Sequence, residues 1–386
     1  MNYEKLLEEI RRKADLRMEL LDPESLEHEE CFTVNGKYTN RKINMLNQTT
    51  WTRSFFPGVL AYLYHHYKDE KYLDYLNKSL KPYQQVLDKR IEEHEMHHDA
   101  GFLYILFSGA LYAVTKSREA YDMTLKVADE FAKRFRFRAG VVQGFGDATA
   151  LTAMTIVDDM MNIGLLMWAY KNEGHVFYRK LFRTHIETVK KNMVREDYTV
   201  RHAFSFNPDG TPMGERNFCG YGPGSVWSRG QSWMVYGVVN AMKAIKDDTC
   251  TVEDDYVALL NGLLNMYLPK LNENGMPKWD LNCEESLPGG RIIDSSAAVI
   301  LAAAIYKLDS FFDISKLQGI AKDALSYADK IFDTVVNEYR ADAEAENFIE
   351  GGQVGSEEKG CVWGDYFFVE LLMRKIYGKD TPDFWM

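Results

Sequence analysis

The sequence predicts an all-α protein, an (α/α)6 barrel of six helical hairpins that occupies residues 1–386 as a single domain. Most segments have the period of a helix, and few show the alternation of a strand. An apolar helix repeatedly ends in Tyr-Lys or a close equivalent before a short polar turn. The six instances are Tyr67-Lys68, Thr115-Lys116, Tyr170-Lys171, Ile245-Lys246, Tyr306-Lys307 and Tyr377-Gly378. Helical hairpins stack into an open solenoid or close into a ring, and a ring of six is this barrel.

The contrast between apolar and charged segments assigns the helices to two layers. Segments with little charge are predicted inner helices: 101–115, 160–170, 232–245 and 297–306. Charged amphipathic segments are predicted outer helices: 71–90, 117–137 and 175–194. Stretches rich in Gly, Pro or Asn are predicted loops: 195–226, 276–296 and 340–360. Long loops at one end of a barrel commonly build a binding site.

The bulk composition narrows the classes of function. The formal net charge is −11 with no Lys/Arg cluster, which argues against a nucleic-acid surface and requires local cations for any anionic substrate. Five widely spaced cysteines without a C-x-x-C pair argue against a disulfide framework or a structural zinc site. The first residues have no apolar signal-peptide core, and no run of eighteen apolar residues occurs. We therefore expect a cytoplasmic protein without a membrane anchor.

A first candidate site is His97-His98-Asp99-Ala100-Gly101, where a charged helix gives way to an apolar one. Asp99 is a good N-cap residue, and that structural role stands beside a functional one. Adjacent histidines can indicate a metal, but neighbours on a helix diverge and no third ligand is evident. No metal site is predicted.

A second candidate is Asp158-Asp159, which opens the apolar helix that runs to Tyr170. Two adjacent carboxylates cannot face the same way in a helix, and Asp158 shares its face with Asn162. One of the pair therefore points along the inner side, where a carboxylate is costly unless it is hydrogen-bonded or functional. An N-cap plus a solvated aspartate is the structural alternative.

A third candidate is the Gly/Pro loop 220–224, which leads through Trp227-Ser228-Arg229 into an inner helix. Arg229 and Trp233 are four residues apart and share a helix face, so a cation lies beside an aromatic platform suited to a sugar carboxylate. A structural cation–π pair is equally compatible with this spacing. For Asp294 an N-cap role is favoured, and for Trp363-Gly364-Asp365 packing is favoured over catalysis.

Five motifs occur in one order along the chain: H-D-x-G-F, I-x-D-x-M-M-N, G-Y-x-x-x-S-x-W-S-R-G-Q-x-W, D-S-S-A-A and W-G-D-Y-F. Together they resemble the unsaturated glucuronyl hydrolases of glycoside hydrolase family 88, over roughly residues 50–380. The resemblance implies an (α/α)6 barrel that acts without a metal or organic cofactor. It also implies an unusual reaction on an oligosaccharide whose terminal glucuronic acid carries a C4=C5 double bond. The enzyme hydrates that bond, the resulting hemiketal opens, and the glycosidic bond then breaks.

The resemblance implies a role for each residue at a matching position. Asp158 is the expected acid/base, and Asp99 is the expected second essential carboxylate, which binds ring hydroxyls and tunes its partner. The expected substrate-binding residues are His98, His202, Arg229, Trp233, Trp51, Asn162, Cys219, Ser356 and Lys359. Among them Cys219 is expected to line the pocket, and Ser356 and Lys359 resemble a patch that faces the leaving sugar.

Three departures from the family pattern bear on substrate preference. Cys219 stands where the family usually has Gln, and Phe145 and Phe56 stand where it often has Trp.

The alternatives that remain are an unsaturated rhamnogalacturonyl hydrolase acting on pectin fragments and a barrel that only binds oligosaccharide. A sugar epimerase would need a pair of histidines that the spacing does not show.

Overall fold

The computed structural model describes residues 2–46 and 51–386. A π-helical turn, Ile105–Gly109, joins two of its helices into one run. The helices are α1 (Tyr3–Leu20), α2 (Phe55–Tyr67), α3 (Glu70–Glu92), α4 (Ala100–Tyr104), α5 (Ala110–Thr115), α6 (Arg118–Ala132), α7 (Asp159–Asn162), α8 (Gly164–Glu173), α9 (Val176–Met193), α10 (Ser228–Thr249), α11 (Asp254–Tyr267), α12 (Ser295–Asp309), α13 (Ala324–Glu338) and α14 (Val362–Tyr377). Short 3₁₀ turns cover Leu268–Lys270, Ile314–Lys316, Gly319–Asp323 and Gly378–Asp380.

Six helical runs within the described ranges form a closed inner ring. In ring order they are α2, α4–α5, α7–α8, α10, α12 and α14, and α14 packs back against α2. Six outer helices pack against this ring: α1, α3, α6, α9, α11 and α13. The predicted (α/α)6 barrel is therefore confirmed.

Burial follows the two layers. Helices α12 and α14 bury almost every residue, because each contacts a neighbour on both sides, an outer helix and the barrel interior. Helices α3 and α6 bury one face only. The predicted inner and outer segments all lie in their assigned layers, except that 133–137 leaves the helix and enters a strand.

The Tyr-Lys pattern marks three helix ends correctly and three too early. Helices α2, α5 and α14 end where predicted, and Lys68 and Lys116 adopt left-handed backbone conformations with φ of 54° and 61°. Helices α8, α10 and α12 continue for two to four residues. For α8 and α10 the stop comes from a left-handed residue further on, Gly174 or Cys250. Lys307 is buried and bonded to Asn240 and Asp383 instead of capping an exposed end.

Short strands occupy much of the chain outside the barrel helices. Those within 195–226 and 340–360 lie where the sequence predicted loops, and the strand at 135–136 lies in a predicted outer helix. They are β1 (Glu27–His28), β2 (Thr33–Val34), β3 (Lys37–Tyr38), β4 (Ile43–Asn44), β5 (Phe135–Arg136), β6 (Val141–Val142), β7 (Ala153–Ile156), β8 (Ala203–Phe206), β9 (Pro212–Arg216), β10 (Gly352–Val354) and β11 (Glu357–Lys359). Strands β7, β8 and β9 form an antiparallel sheet, and β1–β4, β2–β3, β5–β6 and β10–β11 pair as two-stranded ribbons. Strands β7 and β11 lead almost directly into the inner helices α7 and α14, so the strands lie near the end where these helices begin.

The last residues of the sequence close the other end of the ring. Asp383 pairs with Lys307 near the end of α12, and Phe384 stacks on Tyr62 at 4.2 Å. Trp385 is fully buried against the Phe367 ring at 5.8 Å and donates its indole N–H to Glu370. No helix in the described ranges is both long and apolar enough to cross a membrane.

Candidate functional site

The first turns of the inner helices meet at one end of the barrel. Asp99 precedes α4, Asp158 precedes α7, Asp294 precedes α12, and Arg229 and Trp363 lie in the first turns of α10 and α14. Arg229 contacts both Asp294 and Trp363, so residues that are far apart in sequence form one cluster.

Asp99 occupies an N-cap position without capping the helix. Its side chain accepts no hydrogen bond from the backbone of α4. Instead, Nδ1 of His97 lies 3.1 Å from Oδ2 of Asp99, and Nε2 of His98 lies 3.2 Å from Oδ1. Because the two histidines belong to the turn before the helix, their rings converge on one carboxylate instead of diverging. The N-cap alternative for Asp99 therefore does not hold.

Burial would by itself raise the pKa of Asp99, but other contacts outweigh it. His98, His97 and the amide of Asn162 together lower the pKa below its usual value. The carboxylate is thus held in its ionised form. Burial also lowers the pKa of His98 to about 3, so His98 is neutral, with its Nε2 facing the carboxylate. Within the described ranges, His97, His98 and Asp99 are the one group whose ligand atoms lie close enough to hold a metal ion.

Asp158 also stands at an N-cap position without a capping hydrogen bond. Its Oδ2 atom is buried, has no hydrogen-bond partner in the described ranges, and lies 4.0 Å from Nε2 of His202. Burial and, second, the charge of Asp99 raise the pKa of Asp158 to about 7. A carboxyl with this pKa can release and recover a proton near neutral pH.

The adjacent Asp159 has a structural role. Its Oδ2 accepts hydrogen bonds from the Thr155 hydroxyl at 2.9 Å and the Ile156 backbone N–H at 3.2 Å. Burial raises the pKa of Asp159 well above its usual value. The two carboxyls therefore point in different directions, as the sequence predicted, but Asp159 is buried and not solvated.

The tautomer of His202 is set by the backbone. The N–H groups of Phe218 and Cys219 donate to Nδ1 of His202 at 3.2 and 3.0 Å. The ring proton must then lie on Nε2, the atom that faces Asp158. Burial lowers the pKa of His202 to about 4, so at neutral pH this histidine is an uncharged donor.

Arg229 is fixed by contacts on several sides. Its guanidinium pairs with Asp294 and donates to the Ser296 hydroxyl and to Gln353, each of these last two at 3.2 Å. It lies between the rings of Trp227 and Trp363, at 4.8 and 5.1 Å from their centroids. Asp294 also caps α12, as predicted, so this carboxylate both starts a helix and orients the cation.

The family of the chain follows from a comparison with models of known protein families. The model of Glycosyl Hydrolase Family 88 matches residues 27–357. The chain belongs to this family. The predicted class, a glycoside hydrolase of family 88, is confirmed.

Curated family 88 relatives align over most of the chain. One is the unsaturated chondroitin disaccharide hydrolase of Streptococcus pneumoniae, 29% identical over 355 residues, with 88% of this chain and 85% of that protein covered. Another is the unsaturated glucuronyl hydrolase of Bacillus sp. (strain GL1), 29% identical over 345 residues, with 87% and 88% covered. The crystal structure of unsaturated glucuronyl hydrolase from Bacillus sp. GL1 superposes with a TM-score of 0.85 at 25% identity, covering 100% of this chain and 99% of that chain.

Two side chains of this family 88 protein that were predicted to contact substrate are fully buried, so those two predictions are wrong. Trp233 is fully buried against Phe102 and Phe367, because one turn further along α10 the side chain already points into the barrel core. It has no exposed face for a sugar. Asn162 is also fully buried: its Oδ1 accepts the N–H of Phe102 at 2.8 Å and its Nδ2 donates to the Asp158 carbonyl at 3.3 Å. Asn162 therefore ties α4 to α7 instead of contacting substrate.

Other predicted residues do lie beside the cluster. Trp51 is half-buried and stacks on Trp363 with ring centroids 5.3 Å apart. Cys219 is exposed to solvent next to His202. Desolvation of its thiol by the surrounding atoms and, second, the charge of Asp158 raise the pKa of Cys219 to about 12. The thiol is therefore protonated, as expected of a residue that lines a pocket and is not a nucleophile.

The structure does not bring Ser356 and Lys359 to this cluster. Ser356 lies at the turn of the β10–β11 ribbon and lines a surface pocket with Arg291. Lys359 pairs with Glu357 at 2.6 Å and lies over the Phe32 ring. The ribbon contacts Arg229 through Gln353, one strand earlier than the residues that were predicted.

Several residues of the site were not among the catalytic or substrate-binding residues that the sequence predicted. They are His97, Phe218, Trp227, Gln353 and, as the partner of Arg229, Asp294. His97, Trp227 and Asp294 lie inside or beside the recognised motifs, where a signal existed. Phe218 and Gln353 act partly through backbone groups, and residue type does not reveal such contacts.

Proposed function

We propose that this chain is one catalytic domain that removes the terminal Δ4,5-unsaturated glucuronic acid from oligosaccharides made by polysaccharide lyases. The observation that carries the proposal is the pair of unlike carboxyls at the barrel mouth. Asp158 has a pKa of about 7 and an oxygen that no described residue hydrogen-bonds, whereas Asp99 is held ionised beside two histidines. Opposite protonation of two carboxyls separates a proton donor from an electrostatic partner.

The reaction adds one water across the C4=C5 bond. Protonated Asp158 gives its proton to C4, and the ring oxygen stabilises the positive charge that develops at C5. The Asp158 carboxylate then takes a proton from the water that adds at C5, which restores the starting state. The hemiketal formed at C5 opens to a ketone, and the bond to the leaving sugar at C1 then breaks.

The remaining groups are proposed to bind and orient the sugar. Neutral His202 presents an N–H beside Asp158, and ionised Asp99 is suited to accept hydrogen bonds from ring hydroxyls. Arg229 supplies the local cation that an anionic substrate needs on a chain with a net charge of −11. Trp51 and Cys219 are proposed to line the pocket.

The relatives support a glycosaminoglycan-type substrate, since those named above are a chondroitin disaccharide hydrolase and a glucuronyl hydrolase. Cys219 and Phe145, which depart from the family pattern, lie beside His202 and His98 and so bear on sugar preference. Five free cysteines support the expectation of a reducing, cytoplasmic compartment.

A panel of unsaturated disaccharides tests this function. The conjugated C4=C5 bond absorbs ultraviolet light, and hydration removes that absorbance. We expect loss of absorbance with chondroitin or hyaluronan disaccharides, together with release of the amino sugar. Loss only with unsaturated rhamnogalacturonan fragments would instead assign the pectin-type activity. Binding without any loss would assign a barrel that binds but does not react.

A further inference from the structure

Arg134 is a buried cation with no ion-pair partner in the described ranges. It follows the end of α6 and is 5% exposed. All the hydrogen bonds that it makes to the described residues go to backbone carbonyl oxygens. Nε donates to Gln143 at 3.0 Å, one terminal nitrogen donates to Gly144 at 2.7 Å and Gly146 at 3.0 Å, and the other donates to Met96.

These carbonyls belong to two separate segments of the site. Met96 directly precedes the His97-His98-Asp99 turn. Gln143, Gly144 and Gly146 surround Phe145 in the loop between β6 and β7. The guanidinium is a rigid planar fork, so a single side chain fixes the position of the loop relative to the turn.

The two segments also meet through their side chains. Phe145 packs edge-on against His98 at 5.0 Å and against Phe218 at 5.2 Å. Phe218 in turn contacts His202 at 5.7 Å. Phe145 and Phe218 are also partly exposed. They therefore present an aromatic edge to solvent beside His98 and His202, the histidines next to Asp99 and Asp158.

The buried charge of Arg134 acts on the neighbouring site residues. A buried cation without a paired carboxylate is costly, and an apolar residue would fill the same space at lower cost. Burial lowers the pKa of Arg134, whereas the nearby Asp159 and Asp99 raise it. The same positive charge adds to burial in keeping His98 neutral.

We infer that Arg134 is a positioning residue that fixes the Phe145 loop against the Asp99 turn, and through them the sugar against Asp158. The inference rests on the proposed function. It assigns the loop 143–146 to the substrate side of the site. It also explains why an arginine, with donors in three directions, stands at this buried position.

Arg136 offers a matched control. It also donates to backbone carbonyls of the same loop, but in its far half, at Ala148, Ala150 and Leu151. Its one bond to the 143–146 segment is a long one, 3.5 Å to the Gln143 side-chain oxygen, and it makes no bond to the Asp99 turn. The experiment compares kcat and KM of Arg134→Gln, Arg134→Lys and Arg136→Gln on the disaccharide that the wild type turns over. Circular dichroism at the assay temperature verifies that each variant is folded.

We expect Arg134→Gln to lower kcat by about tenfold or more and to raise KM, because both carboxyl and sugar positions loosen. Arg134→Lys keeps the charge and part of the bonding and should recover part of kcat. Arg136→Gln should leave kcat unchanged. If Arg134→Gln does not fold, Arg134→Lys compared with Arg136→Lys gives the same test.

Equal kcat and KM for the Arg134 and Arg136 variants, with an active wild type, would overturn this inference alone. A wild type that turns over no unsaturated disaccharide would instead overturn the proposed function, and this inference with it. The two failures are therefore distinguishable.

Discussion

The carboxyl of Asp158 holds the proton that the proposed reaction transfers. Asp158→Asn keeps the shape of the side chain but cannot exchange a proton, so we expect turnover to fall by about 10²–10⁴-fold. Substrate should still bind, because its other contacts remain. Calorimetric titration with the disaccharide and the absorbance assay measure the two effects. A near-normal rate in this variant would contradict the role of Asp158.

The pH dependence of catalysis follows from the same carboxyl. Because the pKa of Asp158 is about 7 and the donor must be protonated, kcat/KM should fall about tenfold per pH unit above pH 7. Asp99→Asn removes a negative charge that raises this pKa, so the alkaline limb should move to lower pH. Burial, the larger cause, remains, so the limb should not reach the pH of an ordinary aspartate.

A control variant distinguishes the effect of the nearby Asp99 charge on the alkaline limb from the effect of the protein's net charge. Asp209→Asn removes a negative charge from an exposed turn and should leave the limb in place. A limb that stays fixed or moves to higher pH in Asp99→Asn would show that the two carboxyls do not interact as described.

For single residues, the sequence predicted which side chains belong to the site better than it predicted how deep in the barrel each side chain lies. The resemblance to the family located Asp158, Asp99, His98, His202 and Arg229, whose side chains do meet at one end of the barrel. A helical face does not specify how far along the barrel axis a side chain lies. Trp233 was therefore placed beside Arg229, although it lies in the core.

Among the helices, α7 lies very close to its two neighbours because glycines face it. A Cβ on Gly101 of α4 would lie 2.4 Å from Cα of Asn162, and one on Gly237 of α10 would lie 2.6 Å from the Met160 carbonyl oxygen. These contacts set the distance between the helix that follows Asp99 and the helix that follows Asp158.

We expect Gly101→Ala to push α4 and α7 apart. Overpacking of this kind costs about 1–3 kcal/mol of unfolding free energy, and a displacement of about 1 Å between catalytic groups costs about 10²-fold in rate. Chemical denaturation and the absorbance assay measure both. Gly222→Ala adds a methyl group in open space and serves as the control. Normal activity in Gly101→Ala would show that this close approach does not set the site.

The strands illustrate why some elements were not predicted. Strands β7 and β8 are short apolar runs, and over four residues the period of a strand cannot be told from that of a buried helix. The role of Arg134 was missed for a related reason, since backbone carbonyls are its partners and every residue type has one.

On the scale of the whole molecule, Trp385 fills the interior of the helical barrel from the end opposite the site. Its indole contacts Phe102 of α4, Tyr236 of α10, and Tyr366 and Phe367 of α14, so it packs against three of the six inner helices. The repeat in the sequence predicted the ring itself, because each apolar helix needs cover on all sides. It could not predict this filling, because the residues after α14 have no repeat partner.

Trp385→Ala should therefore destabilise the barrel without changing its chemistry. Truncation of a buried Trp costs about 3–5 kcal/mol, measured by chemical denaturation. KM at a temperature where the variant is folded should be unchanged. Phe177→Ala, at a side chain that is 42% exposed, should have little effect on stability. Equal stability of the two variants would contradict a packing role for Trp385.

The most direct test of the proposed chemistry uses an unsaturated glucuronate joined to its neighbour by a carbon–carbon bond at C1. Hydration of C4=C5 does not require the C1 bond to break, so the wild type should remove the ultraviolet absorbance although no sugar leaves. Asp158→Asn should not remove it. If absorbance persists with this analogue while the natural disaccharide is cleaved, the enzyme attacks the anomeric carbon, and Asp158 does not hydrate the double bond.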